Sequence, residues 1–346
     1  MIVDAHLDLA YNVTRGRDVR LPASMQPIAD GEVATVGLPD LREGGVELIC
    51  ATLYAEPARA GGARGYRDAA GAHAQAVSQL GWYREQFDAH LLQLVANRGE
   101  LSSCDVGVPP TYSIDSRGRD AQATRIILLL EGADPIRTPA DVEFFFRAGV
   151  RVVGLAWGKT RYAGGTGTPG PLTSAGIDLL PELDRFGIIH DASHLADESF
   201  WQLVDLSSGP IMASHSNCRA IVPGDRHLSD EMIREIVKRG GVIGINFYDK
   251  FLLPPPEAGK RRATLADVVR HVRHICDLAG NANHVALGTD LDGGLGREQI
   301  PVEIRTIADL PKLTEALRSR GFGDDDVQSI LGGNWMRFFE KHLGQI

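Results

Sequence analysis

The sequence predicts a single (β/α)8 barrel spanning residues 1–346, and three observations predict it. Eight short apolar runs recur along the chain, most of them near-continuous rather than alternating, as expected of parallel strands covered on both faces. Helical stretches separate the runs. The first run leads into HLDLAYN (6–12), where a doubly wound sheet would carry a glycine-rich phosphate turn.

In order, the predicted strands are IVDAHLD (2–8), VELICATLY (46–54), RIILLLE (125–131), RVVGLAW (151–157), GIIHDASH (187–194), PIMASHS (210–216), GVIGINFY (241–248) and HVALGTD (284–290). Between them, 66–96 contains a long amphipathic helix or two, and 139–148, 175–186, 197–206, 229–239 and 264–279 read as shorter ones. Stretches 310–318 and 324–342 close the chain as helices. Ser229 and Thr264 are the expected N-caps, and only Thr264, with Asp267 three residues on, resembles a capping box. Stretch 12–38, the Gly/Pro-rich stretch 163–171 and the proline triplet at 254–256 read as irregular loops. None of them resembles an interdomain linker.

Composition narrows the function classes. Hydrophobic residues make up 43% and charged residues 23%, an ordinary globular mixture. A formal charge of −9 offers no basic stripe for a phosphate backbone, so nucleic acid is not an expected partner. No apolar run approaches the roughly 20 residues that span a bilayer, so no membrane partner is expected. The N-terminus lacks a basic start and apolar core, so no export signal is expected. The four cysteines (Cys50, Cys104, Cys218, Cys276) form no CxxC pair, which fits a reducing cytoplasm. A homodimer is compatible with the sequence and is not decided by it.

Barrel active sites lie at the carboxyl ends of the strands. Those positions hold His6 and Asp8, Tyr54, Glu131, Trp157, His194, His215, Tyr248 and Asp290. Three carboxylates and three imidazoles on one rim need compensation, because buried charges need partners, and a divalent cation provides it. Imidazole with carboxylate and no thiolate suits catalytic zinc or a related transition metal. His6, Asp8, Glu131, His194 and His215 are too many ligands for one open tetrahedral zinc and about right for two metals sharing a carboxylate. Glu131 is the expected bridge, and a carbamylated Lys159 is the alternative. His190 reads as structural, and His227, His271, His274 and His284 as surface or supporting groups.

The chain resembles the membrane dipeptidase family (renal-dipeptidase-like, peptidase family M19) of the amidohydrolase-type metal-dependent barrels. The stretches that carry the resemblance are DAHLDL, LLLEGADPI, ELDRFGIIHDASHL, PIMASHSNCRAI followed by DRHLSDE, GGVIGINFYDKFL and HVALGTDLDG. They stand in family order over nearly the whole chain. The resemblance implies that His6, Asp8 and Glu131 hold one zinc and that Glu131, His194 and His215 hold the other. It implies that Arg226 receives a substrate carboxylate, that Tyr248 lies near the substrate, and that Asp290 is the acid/base, with Asp292 ranked second. A hydroxide bridging the two zincs would then attack the scissile carbonyl.

One departure stands on strand four. Active dipeptidases of the family carry a histidine at its end, and here Trp157 takes that place, making it a substrate-pocket residue. Indole has one neutral N–H donor and cannot become cationic. The following GKTRYAGGTG also differs from the family loop. The expected function is therefore hydrolysis of a dipeptide or similar small carboxylate-bearing amide. The alternatives are a same-fold hydrolase of another amide or a lactone, and a non-catalytic metal-binding barrel. For Arg226, flanked by Asp225, Asp230 and Glu231, the competing expectation is a solvated ion pair.

Overall fold

A computed structural model describes residues 1–58, 64–102, 113–114, 120–121, 123–255 and 257–344. Each of the eight predicted runs contains a parallel strand. They are β1 (Ile2–Leu7), β2 (Val46–Tyr54), β3 (Thr124–Glu131), β4 (Val150–Gly154), β5 (Ile189–Asp191), β6 (Ile211–Met212), β7 (Ile243–Ile245) and β8 (Val285–Leu287). Their hydrogen-bonded order is β6-β5-β4-β3-β2-β1-β8-β7. A parallel bridge between Ala213 and Ile243 joins the two outer members and closes the barrel.

Helices cover the outside. Asp197–Leu206 matches its expected span, and Ser229 caps Asp230–Lys238 by accepting from the Met232 N–H. The Asp267 carboxylate accepts from the Thr264 N–H at 2.9 Å, so the expected capping box opens helix Leu265–Ala279. Stretch 66–96 holds one helix, Ala69–Asp88, followed by a short strand, Leu92–Leu94, that pairs with β3. The stretch thus contains the long helix expected of it, and the strand is an addition that the sequence reading did not place. Stretch 163–171 is also more ordered than a loop: Ala163–Gly165 and Thr168–Leu172 form an antiparallel hairpin. Its glycines are needed because a Cβ on Gly165 would collide with the Gly158 carbonyl oxygen.

Alternate strand residues fill the barrel. Leu48 and Cys50, Ile127 and Leu129, Val152, Ile189 and Met212 share one buried cluster with Trp335, Phe338 and Phe339 from helix Asn334–His342. That helix packs near the amino ends of the strands, where Asn334 Nδ2 donates to the carbonyls of Ala282 and Val285. The aromatic plug leaves the opposite mouth for polar residues.

On β3 the inward alternation Ile127, Leu129 continues to Glu131, which delivers that carboxylate to the mouth. On β1 the inward residues are Val3 and Ala5, so simple alternation would send Leu7 inward. The pairing of β1 with β2 shifts register between Asp4 and Leu7. That irregularity turns His6 to the mouth and Leu7 to the outer core, the effect of a bulge beside a site. Asp8 follows as the N-cap of the short helix Leu9–Thr14.

Candidate metal centre

Glu131 lies at the centre of the mouth. Its Oε1 is 3.5 Å from His6 Nε2, 3.3 Å from His194 Nε2 and 3.4 Å from His215 Nε2. His194 Nε2 and His215 Nε2 are 3.1 Å apart. His6 and His215 stack with ring centroids 3.6 Å apart. His6 Nε2 is buried without a hydrogen-bond partner. Two further groupings place ligand atoms within 4.8 Å of one another: His6 with Glu131 and His215, and His6 with Asp8 and Asp290.

Local structure sets each ligand. His194 lies three residues beyond β5 in the left-handed region, φ 67°, and its Nδ1 is 3.0 Å from Thr166 Oγ1 of the hairpin. The Ser193 hydroxyl accepts from the His215 N–H at 3.1 Å. Thr52, on β2, donates to the Asp8 carboxylate.

The electrostatics are those of a site built for added positive charge. Burial would push the His6 imidazole down, but Glu131, Asp8 and Asp290 together hold it up at about 10. Burial and the neighbouring Glu131 raise Asp8 to about 6. Burial, with Asp8 and Glu131 adding to it, raises Asp290 to about 8 against the pull of His6. Glu131 is driven low despite its burial, because His6 and His194 face it. Burial and Arg226 lower His194 to about 4, leaving a free nitrogen lone pair at neutral pH. Converging lone pairs, an orphaned buried nitrogen and crowded carboxylates fit an imidazole–carboxylate metal centre.

A cavity of about 300 Å³ opens above these residues, lined by Asp8, Glu131, His194, His215, Arg226 and Asp290 on its polar side. Tyr11, Tyr54, Trp157, Tyr248 and Phe251 form the apolar walls. Trp157 is 38% exposed, with its ring centroid 5.3 Å from Tyr54 and 6.0 Å from His194. Arg226 is buried rather than solvated: its Nη2 donates to the His215 carbonyl at 2.7 Å and its Nη1 to Ser216 Oγ at 3.1 Å. Its Nε has no partner. Asp290 accepts from Asn246 Nδ2 at 2.8 Å, and its Oδ1 is 4.0 Å from His6 Nε2.

Other candidates lie elsewhere. Asp292 turns away from the cavity and accepts from Thr35 N–H and Oγ1, both at 2.8 Å, and from Val36 N–H at 2.9 Å. Lys159 is exposed and lines a neighbouring cavity that also reaches Glu131 and Trp157. His190 bonds Asp184 at 2.7 Å. His227 and His271 are buried, so the surface expectation fails for them. Cys104 lies outside the described residues, and Cys50, Cys218 and Cys276 are free thiols. Among the described residues no helix is long and apolar enough to cross a membrane.

Sequence reasoning missed Asp4, Asp191, Ser214 and Asn246, all buried polar residues beside the ligands. The two carboxylates behave alike: Asp4 accepts from the His6 N–H at 3.1 Å and Asp191 from the Ser193 N–H at 3.0 Å. Asp4 and Asp191 each stand inside a buried strand, two positions before the N–H they bond, and a carboxylate in such an apolar run was the available signal.

The family model of the membrane dipeptidases (peptidase family M19) matches residues 1–343. The chain belongs to peptidase family M19. Membership makes it an enzyme of the metallo-dipeptidase type with a metal cofactor. An uncharacterized protein in the pqqA 5′ region of Klebsiella pneumoniae is 34% identical over 238 residues, 65% of this chain and 84% of that protein. An uncharacterized dipeptidase of Schizosaccharomyces pombe is 30% identical over 275 residues, 76% of this chain and 66% of that protein. Among solved structures, a metallo peptidase from Rhodobacter sphaeroides liganded with a phosphinate mimic of the dipeptide L-Ala-D-Ala superposes with a TM-score of 0.78. It is 26% identical, and the match covers 99% of each chain.

Proposed function

We propose that this M19 protein is a binuclear zinc-dependent hydrolase of dipeptides or similar small carboxylate-bearing amides. The observation that carries the reading is the convergence of three imidazole Nε2 atoms on one Glu131 oxygen, beneath a cavity that also holds Asp290 and Arg226. His6, Asp8 and Glu131 would hold one zinc, and Glu131, His194 and His215 the other. When bound, the metals supply Lewis acidity and make water a nucleophile near neutral pH. The ligand of the Rhodobacter relative, a dipeptide mimic, supports the substrate class. The free, buried thiols support a reducing, cytoplasmic setting.

The chain's own residues do the rest. Arg226 binds the substrate's free carboxylate, as a guanidinium lining the cavity is suited to do. Burial of the guanidinium strengthens that contact. Asp290 accepts the proton of the attacking water and returns it to the leaving amine nitrogen, while Asn246 holds its other oxygen. Tyr248 and Trp157 shape the walls and exclude water. The half-exposed Trp157 in the place of the family histidine favours a second reading, a non-dipeptide amide or a lactone opened by the same machinery.

Metal analysis of protein expressed with excess zinc tests the centre. Two equivalents per chain are expected, with both sites weakened in Glu131→Gln. A firm single equivalent, unaffected by that substitution, contradicts the shared carboxylate.

A further inference from the structure

Ser214 stands just before a predicted metal ligand and touches two of them. Its Oγ is 2.7 Å from His215 Nδ1 and 3.2 Å from His6 Nδ1. The same oxygen donates to Asp191 Oδ2 at 2.5 Å. Its remaining polar contact is Ser193 Oγ at 3.4 Å, the longest of the four. Asp191 is fixed in turn by the backbone, its Oδ1 accepting from Ser193 N–H at 3.0 Å and Ser214 N–H at 2.8 Å.

Hydrogen counting decides the proton positions. A serine hydroxyl has one hydrogen to give and two lone pairs to offer. A carboxylate has only lone pairs. The short contact to Asp191 therefore consumes the Ser214 hydrogen, and both lone pairs face imidazole nitrogens. Each of those nitrogens must then bring a hydrogen of its own. The Ser193 contact does not change the count, because 3.4 Å lies beyond the ordinary O–H···O range while the Asp191 contact is 2.5 Å.

We propose that Ser214, anchored by Asp191, accepts the Nδ1–H of both His6 and His215 and so leaves both Nε2 atoms turned toward Glu131. One hydroxyl, a ligand of neither metal, would thereby orient a ligand of each. It explains the stacking of two rings from β1 and from the loop after β6: their Nδ1 edges share one oxygen. The complete burial of Ser214 keeps water from supplying a competing donor. His194 is set separately, through Thr166, so it lies outside this coupling. Ser214 is a positioning residue, acting on the metals only through the two imidazoles, and the coupling to metal rests on the binuclear reading above.

Two measurements test it. In histidine-labelled wild-type protein, nitrogen NMR reads which ring atoms carry hydrogen, with and without zinc. The expected result is a protonated Nδ1 on both His6 and His215 in both states. In Ser214→Ala, chelator competition should show both zincs bound about 10–100-fold more weakly, the usual cost of losing such a partner. An Nδ1 without hydrogen on either ring overturns the proposal, as does weakening of only one metal or of neither. Wild-type protein that binds no zinc would defeat the metal reading instead, and the ring protons of that protein would still decide the role of Ser214.

Discussion

The side-chain amide of Asn246 donates to Oδ2 of Asp290 at 2.8 Å, which leaves Oδ1 as the free end of that carboxyl. If Oδ1 is where the proton exchanges, Asp290→Asn should lower kcat by about 10²–10⁴. Metal content and melting temperature should stay near wild type, since an asparagine oxygen can still accept from Asn246. Asp290 sits at about 8 in the chain's own field, and bound cations would pull it lower, so kcat/KM should rise with pH along a limb below 8. Loss of zinc from the variant would make Asp290 a ligand and not a proton carrier.

Arg226 gives a prediction about the other end of the substrate. Its two Nη groups are already bonded to His215 O and Ser216 Oγ, so Arg226→Lys should not replace it. Arg226→Ala should raise KM for free dipeptides by about 10–100-fold, as expected for a lost charge-assisted bond of roughly 1.5–3 kcal/mol. Dipeptides with an amidated C-terminus should bind the wild type poorly. Equal handling of acid and amide would remove the carboxylate role.

Much of the barrel is legible in the sequence. VELICATLY is a strand end to end because a fully covered strand needs no alternation, and RIILLLE misses only Thr124. Beyond the strands the sequence is less informative. Position at the end of the first strand puts His6 and Asp8 at the mouth, and both do reach it. The cause is a register shift in β1 and a helix cap, neither visible in MIVDAHLDLA. His194 points to Glu131 only because its backbone adopts a left-handed conformation that sequence spacing does not reveal. Asp292 is withdrawn from the cavity by Thr35 and Val36, from a stretch that reads as featureless loop. The double contact of Ser214 depends on two strands meeting across the barrel mouth, a tertiary fact.

Acid should destabilise the fold in a definite window. Burial, with Arg226 beside it, depresses His227 to about 3, and burial depresses His271 to about 3. The unfolded chain takes up these protons below about 6.5, whereas the folded chain refuses them until about 3. The associated stability is therefore complete above about 6.5 and is lost as pH falls toward 3. Each histidine can cost up to ~1.4 kcal/mol per pH unit across that window. Urea melts of wild type and His271→Gln between pH 7 and 4 should differ in slope by about one proton. Identical slopes would contradict the assignment.

Trp157 offers the sharpest test of substrate. It lines the cavity between Tyr54 and His194, at the end of strand four, where the family resemblance implies a histidine. Trp157→His restores a donor able to carry charge near neutral pH. Dipeptide turnover should rise by up to about 10²-fold, the scale of one oxyanion donor. Unchanged turnover would make Trp157 the wall of a pocket for another amide or a lactone.

The central claim is that metal held around Glu131 powers hydrolysis of a small peptide bond. The most direct measurement is kcat/KM over a panel of L-X–L-Y and L-X–D-Y dipeptides, for zinc-loaded protein, for metal-stripped protein and for Glu131→Gln. The account predicts turnover in the zinc-loaded protein, its loss on stripping, its recovery with zinc, and almost none in Glu131→Gln. Hydrolysis that survives stripping and the Glu131 substitution, or no hydrolysis of any dipeptide by protein carrying two zincs, would contradict it.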